Sequence, residues 1–386
     1  MSSQQLPRIS AGQFATMVTA GYTGLGIFYF PRDVVSFAGR AGIYGLWLDG
    51  LVALGLMRLT FRLSRVVPSE TFSGFAPELL SQPVGYFFDA FMVAYHVALA
   101  ASATVLISMV LGNIFLPSTP IWAIDGCLTA TSAYMAWAGV AGLARTLQAS
   151  YLPLLILSTL SISLAATSIT HPELLVPSAH VAIVPLLEGS YRQFMIFLGF
   201  QASTTLYPFI REGDRVKAER YSMFGLIGIV VAMTFQYEVI MGVFGPEMVS
   251  TLRWPLASAY RIISLSGFFI SKLGTLLIVL WTIVVAGFLS IRLWCAAHDL
   301  SSLMRKMRPV PYGWALGLMA AASFGFALLF PNAKVADLFN ERWLVPVGLG
   351  YLVVAPLTVL GVASLRRQRV LHLRTLAERG KEYRSP

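Results

Sequence analysis

The chain has 386 residues, of which 56% are hydrophobic and only 12% charged, with a mean hydropathy of +0.71. That is more apolar surface than a water-soluble core could bury, so the composition excludes an ordinary soluble domain and indicates an all-α polytopic membrane protein. The formal net charge of +10 does not indicate a nucleic-acid partner, because lysine and arginine gather in the polar segments between apolar runs.

Crossing the hydrocarbon of a bilayer takes about 20 residues of helix. On that rule ten transmembrane helices are predicted, at about 10–36, 42–62, 84–115, 120–138, 146–168, 191–210, 219–243, 268–296, 312–330 and 343–364. Residues 1–9 form a short N-terminal segment, 10–365 one permease-like transmembrane domain, and 366–386 a basic tail read as a solvated anchor over anionic lipid. The first apolar run follows Arg8 and ends without a small-residue cleavage pattern. It is therefore read as a retained helix, with the mature chain starting near Met1.

With both termini in the cytoplasm, Arg58, Arg62, Arg65, Arg145, Arg211, Arg215, Lys217, Arg220, Arg305, Lys306, Arg308 and the arginines of the tail fall on the inner side, which satisfies the positive-inside rule. Cys127 and Cys295 are the only cysteines and lie at opposite depths, so no disulfide or metal site is expected. The five histidines are scattered over spans, loops and tail, and no cluster of nucleophiles or acid–base pairs suggests an enzyme or a cofactor.

Ten helices divide into two fives, about 10–168 and 191–364, and the first helix of each half carries helix-breaking residues. In helix 1 the segment is GYTGLG, followed by Phe30-Pro31; in helix 6 it is FLGFQASTT, residues 197–205, followed by Tyr207-Pro208. Glycine in a helix interior costs about 1 kcal/mol relative to alanine, and an unpaired backbone group in lipid costs several kcal/mol. Matching interruptions in two halves predict an inverted-repeat transporter fold with its binding site between the breaks. Close packing of small residues is the alternative.

The segment GLGIFYFP resembles the first-helix signature of the amino acid, polyamine and organocation (APC) superfamily, which implies the LeuT-like 5+5 inverted repeat with broken helices 1 and 6. ISAGQF, FLPSTPIWAI at 115–124 and LRWPLASAYRIISLSGFFISKLGTLLIVLW at 252–281 further resemble the B subunit of GerA-type spore germinant receptors, the endospore germination permease family. This likeness runs from about Ile9 to Leu365, with one departure at Gly274, where that family more often has an acid. It implies a protein of the spore inner membrane that recognises a germinant, commonly an amino acid, beside A and C subunits.

A half-helix N-terminus offers free N–H groups and a half-helix C-terminus free carbonyls, a pairing that suits a zwitterion. The backbone of Gly24, Leu25 and Gly26 is expected to receive an α-carboxylate. Carbonyls near Tyr22 and Phe200, with the hydroxyls of Thr23 and Ser203, are expected to receive the ammonium. Tyr95, Leu99, Phe200, Gln201 and Gly287 are the candidates for a side-chain pocket on helices 3, 6 and 8. Ionisable residues are expected toward the interfaces, Asp89 and Arg292 on the inner side, with His96 as the midplane exception and a candidate proton-sensitive gate.

The resemblance implies that a proton-coupled carrier would have a lysine on helix 5 and a sodium-coupled one paired hydroxyls on helix 8; here helix 5 has no charged residue between 147 and 168, and helix 8 offers Ser290 without an adjacent hydroxyl, so neither coupling is evident. A ligand sensor on a transporter scaffold is the first reading. A working amino acid permease is the second.

Overall fold

The structure is a computed structural model that describes residues 8–24, 28–262, 273–304 and 310–382. The sequence expectations at Leu25 and Gly26 lie outside these residues, as does the side chain of Thr23.

The first half of the molecule comprises α1 (Ala11–Gly24), α2 (Phe30–Ala38), α3 (Gly42–Ser64), α4 (Phe72–Leu79), α5 (Gln82–Ile114), α6 (Ile121–Trp137) and α7 (Gly139–Ala165). The second half opens with α8 (Ile183–Gln193), a 3-10 helix (Phe194–Ala202) and α9 (Ser203–Leu206). It continues through α10 (Arg215–Thr251), α11 (Pro255–Ile262), α12 (Leu273–Met304), α13 (Tyr312–Ala327), α14 (Ala333–Phe339), a π-helical turn (Asn340–Leu344), α15 (Val345–Leu365) and α16 (Arg367–Glu382). The ten predicted spans are α1–α2, α3, α5, α6, α7, α8–α9, α10, α12, α13 and α14–α15. The molecule is thus an integral membrane protein with an all-helical bilayer domain, as lipid requires of a chain whose backbone groups must pair internally.

Both predicted interruptions are present, and they differ in kind. The first helix ends as α1 at Gly24 and resumes as α2 at Phe30, with Pro31 in its first turn, where a missing N–H costs nothing. Helix 6 keeps helical winding but tightens into a 3-10 run of nine residues, all of them buried. Such runs rarely exceed three or four residues because their hydrogen-bond geometry is poorer. Next to these segments the two helices touch. A β-carbon on Gly21 would lie 2.9 Å from the Gly199 Cα, and one on Gly199 would lie 2.9 Å from the Gly21 Cα. This reciprocal contact is what a two-fold relation between the halves demands of its crossing point.

Several boundaries moved for local reasons. Helix 5 begins at Gly139, whose φ of 75° makes the sharp turn out of α6. Helix 7 runs on to Thr251 through a kink at Gly245-Pro246, where Gly245 has φ 74°. Helix 8 continues to Met304 because its polar end is covered by protein: His298 stacks on Trp294 at 5.0 Å, and Asp299 accepts a 2.9 Å hydrogen bond from Thr205.

The tail is not a free solvated extension. Val370, Leu373 and Ala377 recur along one face of α16 and pack into a cluster with Val66, Phe72, Leu79 and Val359. Arg366 donates to the Leu79 and Leu80 carbonyls at 3.0 and 2.9 Å, and Arg374 to the Val66 carbonyl at 2.8 Å. The short amphipathic α4, read from sequence as loop, provides this platform. Gly85 lets α5 pass close to it, since a β-carbon there would meet the Pro77 Cα at 2.3 Å.

At the other end of the chain, Ile9 pairs as a short parallel bridge with Ile210: its N–H donates to the Phe209 carbonyl at 2.8 Å, and its carbonyl accepts from Arg211 at 3.1 Å. This terminal face is tied further by Arg65, whose guanidinium grips the Glu219 carboxylate, while Tyr207 donates to the same carboxylate at 2.8 Å.

Candidate functional site

Where the end of α1 crosses the tightened segment of helix 6, α1 contributes Tyr22, the 3-10 segment contributes Phe197 to Gln201, α5 contributes Tyr95, His96 and Leu99, and α12 contributes Arg292; all are buried. The Tyr22 ring lies 6.0 Å from that of Phe197. Tyr95 donates to the Leu344 carbonyl at 3.0 Å and accepts from the Gln201 amide at 3.2 Å, linking α5, helix 6 and helix 10. Phe200 and Leu99 are fully buried in the same core.

Arg292 is the largest departure from expectation. The sequence places it near the inner interface; the structure sets it at the centre, 1% exposed. The physical reason is the length of α12, which runs 12 residues beyond Arg292 to Met304, about 18 Å of helix at 1.5 Å per residue. Its guanidinium donates to the Gly199 carbonyl and, at 3.4 Å each, faces the Gln201 side-chain oxygen and His96 Nδ1, with its carbon 4.9 Å from the Phe288 ring centre. A built-in cation therefore stands beside Phe200, where the sequence reading set the ligand's ammonium. The Phe200 carbonyl itself is engaged by the backbone N–H of Ser203.

The remaining candidates separate. Ser203 is buried, and its hydroxyl has no partner among the described residues. Gly287 faces a side chain and not open space: a β-carbon there would lie 2.3 Å from Leu147 Cδ2, so this glycine serves the close packing of α12 on α7. The glycine that does face the polar centre is Gly348 on α15, whose β-carbon would lie 2.4 Å from Tyr95 Oη and 3.3 Å from Gln201 Nε2. Sequence alone missed it, because VPVGLGY reads as one more small-residue stretch in a hydrophobic helix. Asp299 was missed as well; with Asp89 it forms a pair of buried carboxyls facing Ser73.

One cavity borders this centre at Tyr22, and a second lies further along the same helices. A cavity of about 40 Å³ is walled by Tyr22, Phe28, Ser158, Gln236 and Trp281, with the Phe28 ring edge-on to Trp281 at 4.6 Å. The larger one, about 340 Å³, opens toward the face opposite the termini between α2, helix 6 and the start of helix 10. Arg32, Asp33, Arg192, Lys334, Asp337 and Glu341 give it charges of both signs. Arg192 pairs with Glu341 at 2.5 Å across it, and Tyr191 donates to the Glu341 carbonyl at 2.6 Å. Among the described residues no group of histidine, cysteine and acidic side chains is arranged to hold a metal ion.

This arrangement defines a protein of the LeuT-like transporter fold. The chain is similar over 99% of its length, and over 94% of the other, to the solved structure of Mhp1, a nucleobase-cation-symport-1 family transporter, in a closed conformation with bromovinylhydantoin bound; the TM-score is 0.64 at 13% identity. The spore germination protein family model matches residues 8–331, and the chain belongs to that family. Relatives in Bacillus subtilis strain 168 are spore germination protein YndE, 23% identical over 76% of this chain and 80% of the relative, and spore germination protein A2, 21% identical over 95% and 99%. Spore germination protein GerLB of Bacillus cereus is 21% identical over 93% of this chain and 95% of its own. It is a germination-associated, permease-like membrane protein.

Proposed function

We propose that this chain is the ligand-sensing B subunit of a germinant receptor, which binds a small amino acid at the junction of helices 1 and 6 and signals by a change of helix packing. The contact between Gly21 and Gly199 carries the reading. A guest seated between the breaks must part or rotate segments that touch backbone to backbone, so occupancy and shape are coupled, and the difference in affinity between the two packings drives the signal. Backbone N–H groups of Gly24, Leu25 and Gly26 receive the carboxylate, and the hydroxyls of Thr23 and Ser203 receive the ammonium. Tyr22, Tyr95, Leu99, Phe200 and Gln201 surround the side chain, and His96 is the candidate gate. The protein works in the inner membrane of the spore, termini in the cytoplasm, beside A and C subunits.

The test is genetic and direct. Spores lacking this gene should lose their response to one class of amino acid germinant and regain it on complementation; unchanged responses to all germinants would overturn the proposal. A second reading, an amino acid permease, is favoured by the 340 Å³ cavity open on one face while the other is tied shut. Uptake of labelled amino acid into proteoliposomes, with and without a proton gradient, separates the two.

A further inference from the structure

An arginine buried in a membrane protein is costly unless a negative group answers it. Arg292 is 1% exposed, its hydrogen-bond partners among the described residues are all neutral acceptors, and none of the described ion pairs includes it. Residues 1–7, 25–27, 263–272, 305–309 and 383–386 contain no aspartate or glutamate that could supply the missing charge. The built-in neighbours thus satisfy part of the guanidinium's hydrogen bonding and none of its charge.

The orphaned atoms around it point the same way. Arg292 Nε, His96 Nε2 and the Tyr22 hydroxyl are buried without a partner among the described residues. With His96 Nδ1 accepting from the guanidinium, Nε2 carries the proton, so all three are donors. Tyr22 and Tyr95 lie within electrostatic reach of the guanidinium, and Tyr22 also walls the 40 Å³ cavity. Donors without acceptors select an acceptor, and a fixed positive charge among them selects an anion.

We propose that Arg292 is the charged side chain that answers the ligand's carboxylate, adding its cation to the neutral backbone donors named above, and that the ligand class is therefore small carboxylates of the amino acid type and not neutral nucleosides or sugars. This rests on the sensing reading above. The ligand's carboxylate supplies the absent counter-charge, accepts from Arg292 Nε and the Tyr22 hydroxyl, and competes with the Gly199 carbonyl for the guanidinium. Because that carbonyl belongs to the tightened segment of helix 6, releasing it links occupancy to the winding of that helix.

The experiment uses the full-length chain in lipid nanodiscs and follows thermal unfolding against a panel of L-amino acids, their matched carboxamides and inosine. The wild-type chain should be stabilised by one or more of the acids, with the corresponding amide at least tenfold weaker in apparent affinity. R292Q should lose the distinction between acid and amide, and R292K should keep part of it. Amides as effective as acids, acids without effect, or stabilisation by inosine alone would overturn the assignment on wild-type protein, whatever the fate of the variants. So would a folded R292Q that still prefers the acid. The sensing reading fails separately, when deletion of the gene leaves every germinant response unchanged.

Discussion

Gly21 and Gly199 are needed for want of a side chain: each would drive a β-carbon into the other's backbone, which cannot give way as a flexible side chain can. Gly199→Ala should therefore lower the stability of the full chain by about 1–3 kcal/mol, the usual cost of overpacking, read as a lower unfolding midpoint in detergent. An unchanged midpoint would mean that the two helices already stand apart. Gly287 and Gly348 make a sharper pair. Gly287→Phe should collapse abundance before it alters any dose response, because Leu147 fills the space in front of it. Gly348→Ala should instead displace Tyr95, break its bond with Gln201 and shift the germinant concentration for half-maximal response, with abundance near normal. The reverse pattern would exchange their roles.

At the scale of elements, the amphipathic α16 turns what reads as a charged tail into part of the core. Leu373 is 8% exposed, so Leu373→Ala should cost about 2–3 kcal/mol. Limited proteolysis should then cut between α15 and α16 at protease concentrations that leave the parent chain intact; equal resistance would return the tail to the role of a solvated anchor. Its arginines act on carbonyls as well as on lipid. Arg366 satisfies the end of α4, where the helix dipole is negative and the last carbonyls have no partner within the helix. On the same face, the hydrogen bond to Glu219 leads the influences that hold the Arg65 guanidinium above its usual range.

The whole molecule is asymmetric across the membrane. One face is tied by the Ile9–Ile210 bridge and the contacts of Arg65 and Tyr207 with Glu219, while the other carries a charged cavity between α2, helix 6 and helix 10. Cysteine placed at Ser36 or Leu338 should react with a membrane-impermeant thiol reagent, and a germinant should slow that reaction severalfold if binding closes the cavity. Reaction rates indifferent to every germinant would separate this cavity from the sensing movement.

Much of this architecture was legible without coordinates. The ten apolar runs, the two matching glycine-bearing segments and the prolines after them follow from the chemistry of a backbone in lipid, which tolerates interruptions only where something covers them. Helix 8 shows the limit: a hydropathy reading ends it where charges begin, so Arg292 looked peripheral, yet protein covers those charges and the helix continues. In the same way Gly287 and Gly348 both sit in apolar stretches of long helices, and only the rotation of each helix against its neighbours decides which one faces Leu147 and which Tyr95. Sequence by itself determined the membrane class, the helical fold and the two helices that carry the interruptions, because these depend on local composition and on the cost of unpaired peptide groups. Tertiary structure alone decided that Gly21 of α1 touches Gly199 of helix 6, that helix 6 tightens where unwinding was expected, and that a buried guanidinium stands beside this crossing, because these depend on contacts between residues far apart in the chain.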